Sequence, residues 1–196
     1  MDLTLQGLTR LVIDTIGDPG GVARRLMALN LPRETLWLAL ALVTVLSVLM
    51  AVPMNLLLPD TTIGAEPALQ FGPMMYGVVL GASLVLTVFI LYYTGSALGG
   101  QGRFTDSLAL ITWLQVVLLA LQVVQLLALL LSPLLATFVT FASLAVGLYC
   151  LVHFVKEMHR FEGMGRAILT IVLGFLGLGL ALSIVLTIAG VGATIP

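Results

Sequence analysis

Four acidic and imidazole side chains close together in the sequence are the first candidates for chemistry. Imidazole and carboxylate groups bind zinc, and side chains four residues apart share one face of a helix. The liganding pattern is incomplete, and the surrounding segment, KEMHRFEGMGR, is charged enough to predict a solvated loop. We therefore assign no metal ligand, no cofactor and no catalytic residue here. The four residues are His153, Glu157, His159 and Glu162.

A glycine-rich stretch at residues 99–107, GGQGRFTDS, interrupts sequence that is apolar on both sides. Phosphate-binding loops are also rich in glycine, but they follow a strand and lead into Gly-Lys-Ser or Gly-Lys-Thr, which this stretch lacks. Gly99, Gly100 and Gly102 instead favour tight turning of the backbone at the membrane surface. Asp106 is placed to cap the helix that follows, and a contact with a partner or ligand is the alternative.

Three glutamines in the next apolar run, Gln115, Gln122 and Gln125, are separated by seven and three residues. These spacings place all three amides on one face of a helix. Because an unpaired amide is costly in hydrocarbon, this face is expected to contact another helix or another subunit. Helix packing and a path for a solute are the two roles left open.

The composition is that of a membrane protein. Of the 196 residues, 60% are hydrophobic and only 9% are charged, against roughly 25% charged in soluble domains. The mean hydropathy is +1.19. The single cysteine, Cys150, lies in an apolar run and is expected to be a small buried side chain rather than a reactive one. Basic tracts that would bind nucleic acid are absent.

The elements that must position these residues are five apolar runs, each long enough to cross the hydrocarbon core as a helix. They cover residues 36–58, 74–98, 108–131, 134–155 and 167–191. Pro53 is expected to kink or end the first helix. Small residues, among them Gly77, Gly81 and Gly174, are expected to allow close packing of the second and fifth helices. The predicted fold is an all-α, polytopic membrane protein with a five-helix bundle over residues 36–196.

Residues 1–35 precede the first run and predict an amphipathic segment of two short helices. Asp18 and Pro19 are the residue types of an N-cap and of a first helical position. In the helix that follows, Arg24 and Arg25 lie opposite the apolar side chains. Two placements stay open: in the membrane interface with the arginines at lipid phosphates, or packed on the first span.

The positive charges are confined to one side of the predicted membrane topology. All eight Lys and Arg residues fall in the N-terminal segment, the second loop or the fourth loop. By the positive-inside rule, this distribution predicts a cytoplasmic N-terminus and a C-terminus on the opposite side, N-in/C-out. The same side chains either bind anionic lipid headgroups or serve topology alone. They are Arg10, Arg24, Arg25, Arg33, Arg103, Lys156, Arg160 and Arg166.

Two of the loops on the predicted cytoplasmic side carry motifs of a known family. Residues 98–113 contain a Gly-Gly turn followed by an aromatic and an acidic residue, and residues 147–174 contain a histidine loop followed by Arg-Ala. This pairing resembles the Yip family of five-span membrane proteins, named for interaction with Ypt/Rab GTPases, over residues 33–191. The matching positions are Gly99, Gly100, Phe104, Asp106, His159, Arg166 and Ala167.

The resemblance implies a membrane domain that acts as an adaptor or organiser and binds membrane lipids, a membrane protein or a second copy. Eukaryotic members carry a longer polar N-terminal tail, so binding of a Rab-type GTPase is not transferred to this chain. The short loops favour a bacterial inner membrane, with the Golgi or ER membrane as the alternative. The residues assigned to partner or lipid binding are Gly99, Gly100, Arg103, Phe104, Asp106, Gln115, Gln122, Gln125, His159, Arg160 and Arg166.

Two other classes of function compete with a non-enzymatic adaptor. A small-solute or ion transporter or channel, in oligomeric form, would use the glutamine face, but no ionisable side chain lies deep in a predicted span. An intramembrane enzyme would need paired aspartates, HExxH, GxSxG or a Ser/His pair in a span, and the runs contain none of these. The adaptor is therefore the predicted function, with the transporter as the alternative.

Overall fold

The computed structural model of the chain describes residues 5–57 and 72–188, and both ranges are almost entirely helical. Within these ranges, helices α3 to α6 are long and apolar enough to cross a membrane, and α7 is apolar over Met164–Leu180. The predicted all-helical, polytopic membrane bundle is confirmed. The seven helices are α1 (Leu5–Gly17), α2 (Pro19–Ala28), α3 (Arg33–Leu57), α4 (Pro73–Ala97), α5 (Phe104–Leu131), α6 (Pro133–His159) and α7 (Met164–Ile188).

Two helices extend past the apolar runs that predicted them. α5 begins at Phe104 rather than at Leu108, and α6 continues to His159 rather than ending at Val155. The expectation of a solvated loop over residues 156–166 is therefore wrong for its first part, because hydrogen bonding and packing at the helix ends carry the helices beyond the hydrocarbon. The predicted ends of the first and fifth spans, at residues 58 and 191, lie outside the described residues.

Pro53 lies inside α3, and the helix continues past it to Leu57. Of the two expected effects, an end of the helix at Pro53 is contradicted, and a kink there stays a prediction. Proline removes one backbone hydrogen bond, but membrane helices tolerate it because neighbouring helices and small local adjustments satisfy the freed carbonyl.

The buried core is concentrated in the first half of α5. Residues 106–115 are buried at every position except the half-buried Ala109. This half of α5 is buried all round because α1, α2, α3, α4 and α6 all pack against α5. Farther along the helix, Leu127 and Leu130 are exposed, as expected of side chains that face lipid. The α4–α5 turn therefore lies at the densely packed end of the bundle.

The N-terminal helices pack mainly on α5 and α6. Asp18 caps α2 as predicted, since its carboxylate accepts a hydrogen bond from the Gly21 N–H at 2.8 Å. Thr15 on α1 accepts a hydrogen bond from the indole N–H of Trp113 at 3.0 Å. Cys150 is completely buried, with its sulfur 3.9 Å from the Thr15 carbonyl oxygen. The prediction that Cys150 is a small buried side chain is confirmed.

Small residues bring α4 close to its neighbours. A Cβ atom on Gly77 would lie 3.2 Å from Val48 of α3, and one on Gly174 of α7 would lie 3.0 Å from Leu91 of α4. The predicted close packing of these helices is confirmed at both positions. The contacts of α4 with α3 and α7 fix the position of its C-terminal end, where the turn to α5 begins.

Candidate functional site

The side chain of His159 lies at the centre of the packed end, where α6 meets the α4–α5 turn. It is only 1% exposed, and its Nε2 atom lies 3.1 Å from the carbonyl oxygen of Leu91 in α4. A carbonyl can only accept, so Nε2 carries the proton and donates this bond. The other ring nitrogen, Nδ1, has no hydrogen-bond partner among the described residues. His159 therefore ties the end of α6 to α4 from inside the protein.

Gly95 at the end of α4 and the glycines of the turn leave the space that the His159 ring and its neighbours occupy. A Cβ atom on Gly95 would overlap the His159 ring, one on Gly100 would lie 2.5 Å from its Nδ1 atom, and one on Gly102 would lie 2.6 Å from the Met158 carbonyl oxygen. Only Gly99 in this turn has a positive φ, of 86°. Tight backbone turning therefore explains Gly99, whereas Gly100 and Gly102 are needed because another chain segment fills the space of a side chain.

A backbone hydrogen bond also joins the turn to α6. We call this hydrogen bond, the His159–Leu91 bond and the close contacts of the glycines with His159 the lock. The Gln101 N–H donates to the His159 carbonyl oxygen at 3.1 Å. α6 ends immediately afterwards at Arg160, which adopts the left-handed conformation with a φ of 56°. The Phe161 N–H returns to the Lys156 carbonyl oxygen at 3.0 Å, a pattern that satisfies the last carbonyls of a helix.

Asp106 caps α5 from the third position of the helix. Its carboxylate accepts from the Arg103 backbone N–H at 3.4 Å and from the Arg103 side chain at 3.1 and 3.2 Å. The Asp106 side chain is 10% exposed and that of Arg103 is 60% exposed. Asp106 raises the pKa of Arg103 above its ordinary value, through this hydrogen bond and through its charge. The capping role predicted for Asp106 is thus present one turn inside the helix.

Phe104 anchors the start of α5 to α3 and α4. Its ring centroid lies 5.0 Å from that of Phe89 and 5.7 Å from that of Tyr92, both on α4. The Arg33 guanidinium of α3 lies 5.9 Å from the same ring, within reach of a cation–π interaction. Residue spacing in the sequence could not have predicted this cluster, because its members come from three separate helices.

Three of the four residues considered for a metal site bond to different parts of the chain, beginning with His159, which bonds to Leu91. Glu157 pairs with Arg24 of α2 at 2.9 Å, and the His153 ring nitrogen Nδ1 donates to the Tyr149 carbonyl oxygen at 2.8 Å within α6. Glu162 is exposed. In the parts of the chain that the structure describes, no three His, Cys, Asp or Glu side chains are grouped to hold a metal ion.

An exposed set of arginines surrounds this locked turn. Arg24 lies beside Glu157, Arg103 donates to Asn30 at 2.9 Å, and Arg33 stacks on Phe104. These three arginines lie at the same end of the bundle as their partners. Arg160 and Arg166 lie at that end too, because they belong to the turn between α6 and α7 and to the first turn of α7. We call this surface the basic end; its residues are Arg24, Arg25, Arg33, Arg103, Arg160 and Arg166, all of them exposed.

The three glutamines of α5 share one face, as predicted, and line one cavity of about 350 Å³. Gln115 donates to Ser47 of α3 at 3.1 Å, and Gln125 donates to Thr140 of α6 at 2.6 Å. The expected contact with other helices is therefore confirmed for these two amides. The Gln122 Oε1 atom is buried and has no partner among the described residues.

The helical bundle and its apolar spans define a polytopic membrane protein. The family model of the Yip1 domain matches residues 13–185, which includes the last five residues of α1, all of α2 to α6 and most of α7. The chain therefore belongs to the Yip1 family. No curated protein and no solved structure matches the chain.

Proposed function

We propose that this chain is a non-enzymatic membrane adaptor that binds a membrane protein partner, a second copy or anionic lipid headgroups through its basic end. The observation that carries the proposal is the lock around His159. The polar groups of the turn bond within the chain, while the arginines around them stay exposed. Such a surface is fixed in shape before any partner arrives.

Fixed shape matters because binding is weakened by the entropy of ordering side chains and loops. The α4–α5 turn is held by the His159 ring, by the Gln101 hydrogen bond and by the Phe104 cluster. α2 is held to α6 by the Arg24–Glu157 ion pair. A partner would therefore meet a preorganised surface assembled from the C-terminal ends of α2, α4 and α6 and the N-terminal starts of α3, α5 and α7.

The charge of the basic end supports binding at the cytoplasmic face. Positive side chains accumulate on the cytoplasmic side of membrane proteins, and each one near an anionic leaflet contributes roughly 1 kcal/mol to membrane attraction. The orientation with this end in the cytoplasm remains a prediction from charge. We assign the chain to a bacterial inner membrane, with the Golgi or ER membrane as the alternative, and we do not assign a Rab-type GTPase as partner.

A transporter or channel is the second candidate, and the cavity lined by the glutamines is the observation in its favour. Coupling and conduction sites usually contain ionisable side chains within the membrane. In the described parts of α3 to α7, the charged side chains lie near the helix ends, as with Glu34, Asp106 and Arg166. The cavity is therefore better suited to holding a neutral molecule than to moving an ion.

Purification from native membranes in polymer discs, followed by mass spectrometry of bound protein and lipid, tests the adaptor. We expect a stoichiometric protein partner or enriched anionic lipid, lost on combining Arg160→Gln with Arg166→Gln. Arg10→Gln is the control, since Arg10 is an exposed arginine on α1 that is not part of the basic end. A protein that carries the same lipids as bulk membrane and no partner, before and after the substitutions, would contradict the proposal.

A further inference from the structure

The cavity of about 350 Å³ that contains the glutamine face lies between α4, α5, α6 and α7. Every residue that lines it is uncharged, and most of the lining is leucine and other apolar side chains. Its rim includes Leu144 and Leu148 of α6 and Phe175 of α7, whose side chains are exposed on the outside of the bundle. The cavity therefore opens sideways between α6 and α7, toward lipid.

Two polar atoms in this cavity have no hydrogen-bond partner among the described residues: Oε1 of Gln122 and Oγ of Ser143. The pair Gln125 and Thr140 bridges α5 and α6 with a 2.6 Å hydrogen bond. Gln122 precedes Gln125 by three residues and Ser143 follows Thr140 by three, so both lie one turn nearer the basic end on the same two faces. Both residues line the cavity, and the structure leaves Oε1 of Gln122 and Oγ of Ser143 buried without a hydrogen-bond partner among the described residues.

This polar pair lies deep in the membrane. Gln122 is eighteen residues into α5, about 27 Å along the helix axis at 1.5 Å per residue. The whole of α5, at 28 residues, is about 42 Å long, whereas the hydrocarbon core is about 30 Å thick. Because α5 is about 12 Å longer than the core and Gln122 lies more than about 12 Å from both helix ends, Gln122 lies inside the core wherever the core begins along α5. Neither headgroups nor bulk water are therefore at hand to satisfy its amide.

We propose that the cavity binds an uncharged lipid through a hydroxyl group, with the hydrocarbon part of the lipid lying along the leucines. The absence of charge in the lining excludes a phospholipid headgroup as the polar part. A hydroxyl donates one hydrogen bond and accepts others, so it can donate to Gln122 Oε1 and accept from the Ser143 hydroxyl. A free long-chain alcohol and a diacylglycerol both supply this chemistry.

Photolabelling of the protein in phosphatidylcholine vesicles tests the proposal. The probe is an alkyne-tagged hexadecanol with a diazirine near its hydroxyl end, and the reference probe has the same chain ending in a methyl group. We expect the hydroxyl probe to label the peptides around residues 115–125 and 140–148 about threefold more than the reference, the ratio that an average hydrogen bond in a membrane protein provides.

Gln122→Leu and Ser143→Ala should each bring labelling by the hydroxyl probe down to the level of the methyl probe. Thr137→Val is the matched control, because Thr137 also lies on α6 but bonds only to the Pro133 carbonyl of its own helix and does not line the cavity. The thermal unfolding midpoint of each variant, expected to equal that of the wild type, shows that the labelling change is not a folding defect. Competition by unlabelled farnesol or by dioleoylglycerol then identifies the source of the hydroxyl, and either result supports the proposal.

Three results would overturn it. Equal labelling by the two probes would show that the hydroxyl is not recognised. Undiminished labelling of Gln122→Leu and Ser143→Ala would show that these groups do not bind it. A cross-linked dimer joined through α6 at the cavity would show that a second copy of the chain, rather than a lipid, fills the opening.

Discussion

The Nε2 atom of His159, near the C-terminus of α6, donates a hydrogen bond to the carbonyl oxygen of Leu91 in α4 at 3.1 Å. The two residues are 68 positions apart in sequence, and the contact holds the ends of two membrane helices together. The ring can take this position only because Gly95 and Gly100 leave room for it. The glycine-rich turn and the histidine are therefore one structural unit.

Gly100→Ala should destabilise the protein by about 1–3 kcal/mol, the range for overpacking a filled interior. The reason is the 2.5 Å separation between the added Cβ atom and Nδ1 of His159. Thermal unfolding in detergent measures the effect. Gly165→Ala is the control, because a Cβ atom there meets nothing within 4 Å. Equal stability of the two variants would show that the ring does not fill this space.

His159→Phe should lower the free energy of unfolding by about 1 kcal/mol, because it keeps a ring of similar size and removes the hydrogen bond to Leu91. The same substitution at His153 is the comparison, since that ring bonds within its own helix to Tyr149 and is only half-buried. Limited proteolysis at the α4–α5 turn provides a local readout. Cleavage in this turn should rise for His159→Phe and stay at the wild-type rate for His153→Phe; the reverse order would be inconsistent with the lock.

Asp106→Ala should reduce stability by about 1 kcal/mol, as removal of a capping carboxylate does. The substitution removes the acceptor of three Arg103 hydrogen bonds at the start of α5. As the control, Glu162→Ala removes an exposed carboxylate from the turn between α6 and α7 and should leave stability unchanged. If Asp106→Ala left stability unchanged but abolished partner binding, the carboxylate would be a partner contact instead of a cap.

The orientation can be tested with single cysteines in a Cys150→Ser background. Glu162→Cys lies at the basic end, and Leu131→Cys lies at the opposite ends of α5 and α6, where Leu131 is 79% exposed. A membrane-impermeant maleimide added outside intact cells should label Leu131→Cys alone. A fusion reporter after Pro196 should likewise face away from the cytoplasm. Labelling of Glu162→Cys from outside would contradict the predicted topology and indicate the opposite orientation.

Hydropathy predicted the membrane architecture well, because crossing a bilayer as a helix requires a long apolar run whatever its packing partners are. The Asp18–Pro19 helix start was also predictable, since an N-cap acts on its own first turn. Both features depend on residues close together in the sequence.

The lock around His159 could not be predicted in the same way. A histidine in a charged segment is ordinarily solvated, and its burial depends on Gly95, Gly100 and Leu91, which lie about sixty residues earlier. The signal in the sequence was the presence of three glycines, Gly99, Gly100 and Gly102, in one short turn. Only Gly99 has a positive φ, so the other two indicate close contact with another part of the chain. The contact of α1 with Trp113 was hidden for a similar reason, because it joins residues 98 positions apart.

In-cell photocross-linking tests most directly whether the basic end is the binding surface. A photoreactive amino acid at Glu162 reports on the basic end, and one at Met74, which is 86% exposed at the start of α4, reports on the opposite end. We predict a discrete protein or anionic-lipid adduct at Glu162 alone, lost when Arg160→Gln and Arg166→Gln are added. The same adducts at both positions, or an adduct at Glu162 that is indifferent to the arginines, would contradict the account.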